Sequence, residues 1–216
     1  GHDYGFARNG PTWRWWSDES RLDGLPPPAL AGEHQIGNAA AALATLASLR
    51  HRLPVPPDAI RAGLARVRLP GRFQIVPGPV EWILDVAHNP HGAAVLAGNL
   101  RARPRFGRTR AILGMLADKD ASGVIRALSD VVDDWYPVTL AGPRGRTGAE
   151  LAAILRAAGV EPMAAGNNIL DACRAARAAA NPGDRIIALG SFHTVAPVLA
   201  ARPWFFDIPP PHSREA

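Results

Sequence analysis

At 216 residues, 47% hydrophobic and 20% charged, the chain holds enough apolar material for one large core or two small ones. No apolar run approaches the length of a membrane span, no basic-apolar leader opens the chain, and the single cysteine, Cys173, excludes an internal disulfide, so a reducing, cytoplasmic setting is expected. The net charge of +5 comes from scattered basic residues with no accompanying nucleic-acid motif, which argues against a nucleic-acid partner.

Residues 1–17 read as a hairpin, with strands at Tyr4–Ala7 and Thr12–Trp16 around an Arg-Asn-Gly turn. Trp13, Trp15 and Trp16 fit either a half-buried edge strand or a stacking surface, the edge strand being the expectation. Opening at Gly1 on a strand points to a fragment or a processed chain. A loop at Pro26–Pro28 leads through Gly32-Glu-His-Gln-Ile-Gly-Asn38 into an alanine-rich helix at Ala39–Leu49, and a second helix is expected at Pro57–Val67. Arg68-Leu-Pro-Gly-Arg72 breaks the pattern and reads as a linker.

From Phe73 the rhythm alternates. A hairpin over Phe73–Val76 and Val80–Val86 precedes a helix at 90–102, a strand at 110–115 and a helix at 120–130. A strand at 135–141, a helix at 148–158 and a short strand near Val160–Ala164 follow. A helix at 168–180, a strand at Arg185–Leu189 and a last helix from about Thr194 complete the run, and Pro209–Ala216 reads as a loose tail. Repeated βα units of this kind predict an α/β fold with a mostly parallel, doubly wound sheet.

In such a sheet, functional residues collect beyond the carboxyl ends of the strands. Three strand ends carry polar clusters: Asp85-Val-Ala-His88, then Gly114-Met-Leu-Ala-Asp-Lys-Asp120, then Gly190-Ser191-Phe-His-Thr194. Pro90 at a first helical position makes Asn89 a natural N-cap, and Asp118, Asp120, Ser191 or Thr194 could equally be caps. Lys119 is the only lysine, every other residue in the Lys+Arg count being arginine, which points to a task a guanidinium fork cannot do. His88 and His91 could in principle hold a metal, but no third ligand stands nearby, so none is expected. Gly142-Pro-Arg-Gly-Arg-Thr-Gly148 lacks the spacing of a dinucleotide loop and reads as a mobile surface loop. No Gly-Lys phosphate loop is present, so any nucleoside triphosphate must be held by another segment.

His34-Gln-Ile-Gly-Asn38, Leu69-Pro-Gly-Arg72-Phe, Leu84-Asp-Val-Ala-His-Asn-Pro, Gly114-Met-Leu-Ala-Asp-Lys-Asp and Gly190-Ser191-Phe, in that order, closely resemble the folylpolyglutamate synthase/dihydrofolate synthase family. This is the folate branch of the Mur ligases, and the resemblance spans residues 1 to about 203. It implies that residues 1–70 are the helical and hairpin end of a truncated ATPase domain, that 71–205 are a Rossmann-like C-terminal domain, and that 206–216 are a tail. The resemblance covers the back half of such an enzyme; the family's phosphate loop and magnesium ligands belong to a segment upstream.

The same resemblance implies an ATP-dependent ligase that joins L-glutamate to dihydropteroate or folylpolyglutamate through an acyl phosphate, using ATP and Mg²⁺, and monomeric when complete. It matches Asn38 to a residue near the adenine, Arg72 to an interdomain arginine on the ATP phosphates, and Asp85 to a carboxylate on the ribose hydroxyls. His88, Lys119 and Ser191 match positions around the glutamate and the acyl phosphate. Val86 departs from the glycine common at that place. A stand-alone nucleotide-binding or interaction module of the same fold, or another Mur-type amino-acid ligase, are the alternatives.

Overall fold

Alternating apolar residues and the Asn9-Gly10 turn set up the first elements. In a computed structural model that describes residues 3–104, 106–163 and 168–201, strands β1 (Tyr4–Asn9) and β2 (Thr12–Ser17) pair antiparallel, and Gly10 takes the positive φ of 59° that the turn requires. The edge-strand expectation for the tryptophans is corrected, because a third strand, β3 (Arg21–Leu25), pairs with the other side of β2. β2 is therefore central, and Trp13 and Trp15 are fully buried. Their indole N–H groups donate to the carbonyls of Pro26 and Ala40, at 2.8 and 3.1 Å, which removes the cost of burying a donor. Helix α1 (His34–Ser48) lays Ile36, Ala39, Ala40 and Leu43 on this cluster, with α2 (Pro57–Arg66) contributing Ile60 and Leu64. α1 begins at His34 rather than Ala39, so the whole His34–Asn38 motif is helical.

The chain divides into two compact units between Leu69 and Pro70. In the second, β4 (Gln74–Val76) pairs antiparallel with β5 (Glu81–Asp85). After α3 (Pro90–Arg101) come β6 (Thr109–Leu113), α4 (Ala121–Leu128), β7 (Asp134–Pro137), α5 (Gly148–Ala157), α6 (Ile169–Ala178), β8 (Arg185–Leu189) and α7 (Phe192–Ala200). The sheet order is β4-β5-β8-β6-β7, parallel apart from the β4–β5 pair. β6 and β8 are buried at every position, as a sheet covered on both faces requires. One face packs Trp82, Leu84, Ile112, Ile186 and Ala188 against Ala172, Cys173 and Ala176 of α6 and Val195 and Val198 of α7. Strand alternation sends Ile83, Ala111, Leu113 and Ile187 to the other face.

The strand expected near Val160–Ala164 is absent over Val160–Met163, and Ala164 lies outside the described residues. Met163 donates one backbone hydrogen bond to the Trp135 carbonyl, at 2.8 Å, but Pro162 has no N–H with which to extend a ladder. The tail at 206–216 also lies outside the described residues. No helix among the described residues is long and apolar enough to cross a membrane.

Candidate functional site

β8 enters the sheet between β5 and β6, although it is the last strand in the chain. Leu189 therefore sits in register with Asp85 on one side and Leu113 on the other. That register brings the carboxyl ends of three adjacent strands side by side, and with them Asp85-Val-Ala-His88, Gly114–Asp120 and Gly190–Thr194. β8 fills the place that the β5-to-β6 crossover skips, and doubly wound sheets bind ligands at this carboxyl edge of the strands. Three helices begin here with side-chain caps: Asn89 accepts from the Gly92 N–H at 2.7 Å, Asp120 from Gly123 at 2.8 Å, and Ser191 from His193 at 3.1 Å. Capping orders the joints, and the capping residues stand at the same edge as the polar clusters.

Asp85 is 9% exposed, and both of its oxygens are engaged. Oδ1 accepts the Ala87 N–H at 2.7 Å, and Oδ2 accepts the Phe73 N–H at 2.8 Å. The second bond ties β5 to the turn before β4. In that turn Gly71 has φ 72° and Phe73 has φ 41°, the one positive φ among described non-glycine residues. The Val86 N–H donates to the Gly71 carbonyl at 2.8 Å, and the Gly71 N–H to Gln74 Oε1 at 3.1 Å. The positive φ favours glycine at 71, and a Cβ there would press on Val86 at 3.0 Å and Val195 at 3.2 Å. Arg72, exposed between Gly71 and Phe73, is thereby presented on a knotted turn. It has no ion-pair partner among the described residues.

His88 is half-buried, and its Nδ1 lies 2.9 Å from the Val86 carbonyl. A carbonyl only accepts, so Nδ1 carries the proton and Nε2 is the lone-pair nitrogen of the neutral ring. Ser191 is 6% exposed, and Thr194, fully buried, donates its hydroxyl to the Gly114 carbonyl at 2.7 Å. The same two strand ends approach closely at Gly190, whose φ is 103°, and a Cβ there would stand 2.5 Å from the Gly114 oxygen. Gly71, Phe73, Gly114, Gly190 and Thr194 hold the site edge together; the sequence places Gly114, Gly190 and Thr194 in the strand-end clusters, but carries no sign that Phe73 takes a positive φ or that Thr194 bonds across to Gly114.

Lys119 pairs with Asp118, Nζ to Oδ2 at 3.2 Å, and its side chain is 32% exposed. Arg144 reaches both Asp118 oxygens, at 2.9 and 3.0 Å. Hydrogen bonds from Arg144 first, and Lys119 second, hold the Asp118 carboxyl below the usual carboxylate range. The expectation of a loose loop at Gly142–Gly148 is corrected. Leu116 and Gly145 form an antiparallel bridge, Arg146 N–H donates to the Met115 carbonyl at 3.1 Å, and Ala117 N–H donates to the Arg144 carbonyl at 2.8 Å. Tertiary backbone bonds, invisible to local glycine content, stitch the turn to the Lys119 segment.

Asn38 belongs to the other compact unit; it is exposed on α1 and donates to Gln35 Oε1 at 3.0 Å. Among the described residues no group of three or more His, Cys, Asp or Glu could hold a metal ion.

Residues 71–192 match the family model of the Mur ligase, glutamate ligase domain. The chain belongs to the Mur ligase family. Over 202 residues it is 40% identical to dihydrofolate synthase/folylpolyglutamate synthase of Escherichia coli K12, a match that takes in 92% of this chain and 44% of that relative. FolC of Escherichia coli, solved in complex with DHPP and ADP, superposes with a TM-score of 0.80 at 40% identity, covering 94% of this chain and 46% of that one. The bifunctional folylpolyglutamate synthase/dihydrofolate synthase of Yersinia pestis CO92 gives a TM-score of 0.75 at 42% identity, covering 92% of this chain and 45% of that one. A bifunctional folylpolyglutamate synthase/dihydrofolate synthase with Mn, AMPPNP and L-glutamate bound gives a TM-score of 0.77 at 42% identity, with coverages of 92% and 45%. This Mur ligase chain thus spans about half the length of the relatives it matches.

Proposed function

We propose that this chain is the C-terminal portion of an ADP-forming ligase that joins L-glutamate to dihydropteroate, to folylpolyglutamate, or to both. The observation that carries the reading is the single sheet edge shared by Arg72, Asp85, His88, Lys119 and Ser191, in a chain so similar to enzymes of that name. Residues 1–70 would then complete an ATPase domain, and residues 71–205 would form the glutamate ligase domain.

In the proposed reaction a substrate carboxylate oxygen attacks the γ-phosphorus of ATP, and ADP leaves. The glutamate amine then attacks the acyl carbon of the acyl phosphate, loses a proton, and expels phosphate to form the amide. Arg72 is placed on the ATP phosphates, where an exposed guanidinium fork matches paired oxygens. Asp85 is placed on the ribose, a carboxylate at the end of β5 being a hydrogen-bond acceptor suited to hydroxyls. Asn38 is placed near the adenine. Lys119 pairs with a glutamate carboxylate, and His88 Nε2, the ring nitrogen that does not face the Val86 carbonyl, is placed to accept from the amine. Ser191 offers a hydroxyl beside the first turn of α7, where N–H groups favour an anionic acyl phosphate. No described residue cluster fits Mg²⁺, so the metal is assigned to no residue here. A buried free cysteine accords with a reducing compartment, and we place the reaction in the cytoplasm.

The test is glutamate-dependent ADP release by the full-length enzyme. Lys119→Ala should raise the KM for glutamate about tenfold or more, since a hydrogen bond between charged groups is worth ~1.5–3 kcal/mol, and leave the KM for ATP in place. An unchanged glutamate KM overturns the role of Lys119. Absence of glutamate-dependent ADP release in the unaltered enzyme overturns the whole assignment.

A further inference from the structure

We infer that Arg144 and Arg146 are positioning residues that hold Lys119 available to an incoming carboxylate, an inference resting on the proposed pairing of Lys119 with glutamate. The turn that carries them has no place in the chemistry so far, yet it is bonded to the Lys119 segment at several points. Arg146 spends both its main chain and its side chain there. Its N–H donates to Met115, and one guanidinium nitrogen donates to the Ala117 carbonyl at 2.6 Å and the Lys119 carbonyl at 3.3 Å. The Lys119 backbone is thus fixed from outside its own loop.

Arg144 acts on the competitor. Asp118 is an internal carboxylate 3.2 Å from the Lys119 ammonium, in the position that a ligand carboxylate would want. If Lys119 were its only cation, releasing the lysine to a ligand would leave Asp118 unpaired, and the exchange would be resisted. Arg144 spans both Asp118 oxygens, at 2.9 and 3.0 Å, so the lysine can turn to a ligand while Asp118 keeps a partner. Both contacts come from a single guanidinium nitrogen of Arg144, which shares its N–H groups between the two oxygens. The ligand class is a small molecule with an anionic carboxylate.

The experiment is steady-state kinetics of the full-length enzyme with glutamate varied. Arg144→Ala should raise the KM for glutamate about 1.4- to fivefold, the range set by exposed ion pairs of ~0.2–1 kcal/mol, with the change in KM rather than in kcat and none in the KM for ATP. Adding Asp118→Asn to that variant should bring the glutamate KM back to the starting value or below, because the competitor is gone. Arg144→Lys should fall between. Arg146→Ala should raise the same KM, and Asp118→Asn should not restore it, because Arg146 holds backbone rather than Asp118. A role that is only structural predicts no rescue by Asp118→Asn. An Arg144→Ala enzyme with unchanged glutamate KM, or one that Asp118→Asn fails to restore, overturns the inference. If Lys119→Ala also leaves that KM unmoved, the glutamate assignment falls with it; if Lys119→Ala raises the KM, only the role of the arginines is lost.

Discussion

Replacing Asp85 by alanine should unfold the junction between the linker turn and the sheet before it touches any ligand. The carboxylate accepts two buried backbone N–H groups, from Ala87 at 2.7 Å and Phe73 at 2.8 Å. Leaving a buried donor without an acceptor costs ~1–3 kcal/mol, so two such losses amount to roughly 2–6 kcal/mol. Part of this is returned, because Phe73 at φ 41° relaxes when its anchor goes, and a left-handed conformation costs ~1–2 kcal/mol in a non-glycine residue. The expected net loss is about 3 kcal/mol. Asp85→Asn keeps one acceptor oxygen but sets an NH₂ against the other N–H, so it should recover no more than half. Urea unfolding monitored by tryptophan fluorescence would show a lower midpoint with an unchanged slope. Amide exchange would show the Phe73 N–H losing protection ahead of the strand interior. A variant with the original midpoint, or with Phe73 as protected as before, refutes the reasoning. The result also bears on kinetics, since an inactive Asp85→Ala enzyme has lost both the proposed ribose contact and the turn that presents Arg72.

Gly190→Ala should destabilise by about 2–4 kcal/mol in thermal unfolding, because φ 103° disfavours any side chain and the new methyl would meet the Gly114 oxygen at 2.5 Å. Arg110→Ala should cost ~3–5 kcal/mol, since it strands Asp184 beside it: the pair is 2.5 Å apart with side chains only 5% and 6% exposed. Burial alone would raise the Asp184 carboxyl, but the N–H groups of Asn181 and Arg108 and the Arg110 guanidinium outweigh it and hold the folded-state value below the ordinary one. Its stabilisation is therefore complete above the ordinary carboxylate pKa and drains away as pH falls through that value toward the lower folded one, so Asp184→Asn should flatten the acid limb of a stability–pH curve. Cys173, buried, has its thiol pushed up to about 12 by desolvation, which predicts no alkylation of the native protein near pH 8 and rapid alkylation in urea. Because the folded value is raised, the stabilising preference for the protonated thiol holds below the unfolded thiol pKa and is lost as pH climbs through the folded one, which Cys173→Ser should abolish.

The strand-to-helix joints were legible in the sequence because their signals are local. Asn89-Pro90, Asp120 and Ser191 announce helix starts within a few residues, and every one of them caps a helix. β3 was not legible, since Arg21, Asp23 and Gly24 give it neither an apolar face nor β propensity; it forms because β2 offers it an edge. The start of α1 was misread for a related reason. Gly37 lowers local helix propensity, but Gln35 and Ile36 are buried within the first unit, and packing overrides propensity.

What the sequence hides at the candidate site is the wiring between segments that it does show. Asp85 stands out as a carboxylate at a strand end, but the turn it anchors lies twelve residues earlier and is reached only across the β4–β5 hairpin. Lys119 stands out as the only lysine, but the arginine that competes for Asp118 arrives after a further strand. In both cases the structure gives the charged side chain a local partner: Asp85 accepts two backbone N–H groups, and Lys119 pairs with Asp118. A local partner does not exclude the proposed ligand role, because carboxylates, hydroxyls and a lysine have the chemistry both to satisfy a neighbouring group and to meet a ligand, and an apolar residue does not. Ser191→Gly should therefore separate fold from chemistry at this edge: it removes the hydroxyl yet costs a helix start only a few tenths of a kcal/mol against about 1 for alanine, so it should leave the unfolding midpoint nearly unchanged while lowering turnover of the full-length enzyme. Equal loss of stability and turnover in the glycine variant would mean that Ser191 is a cap and nothing more.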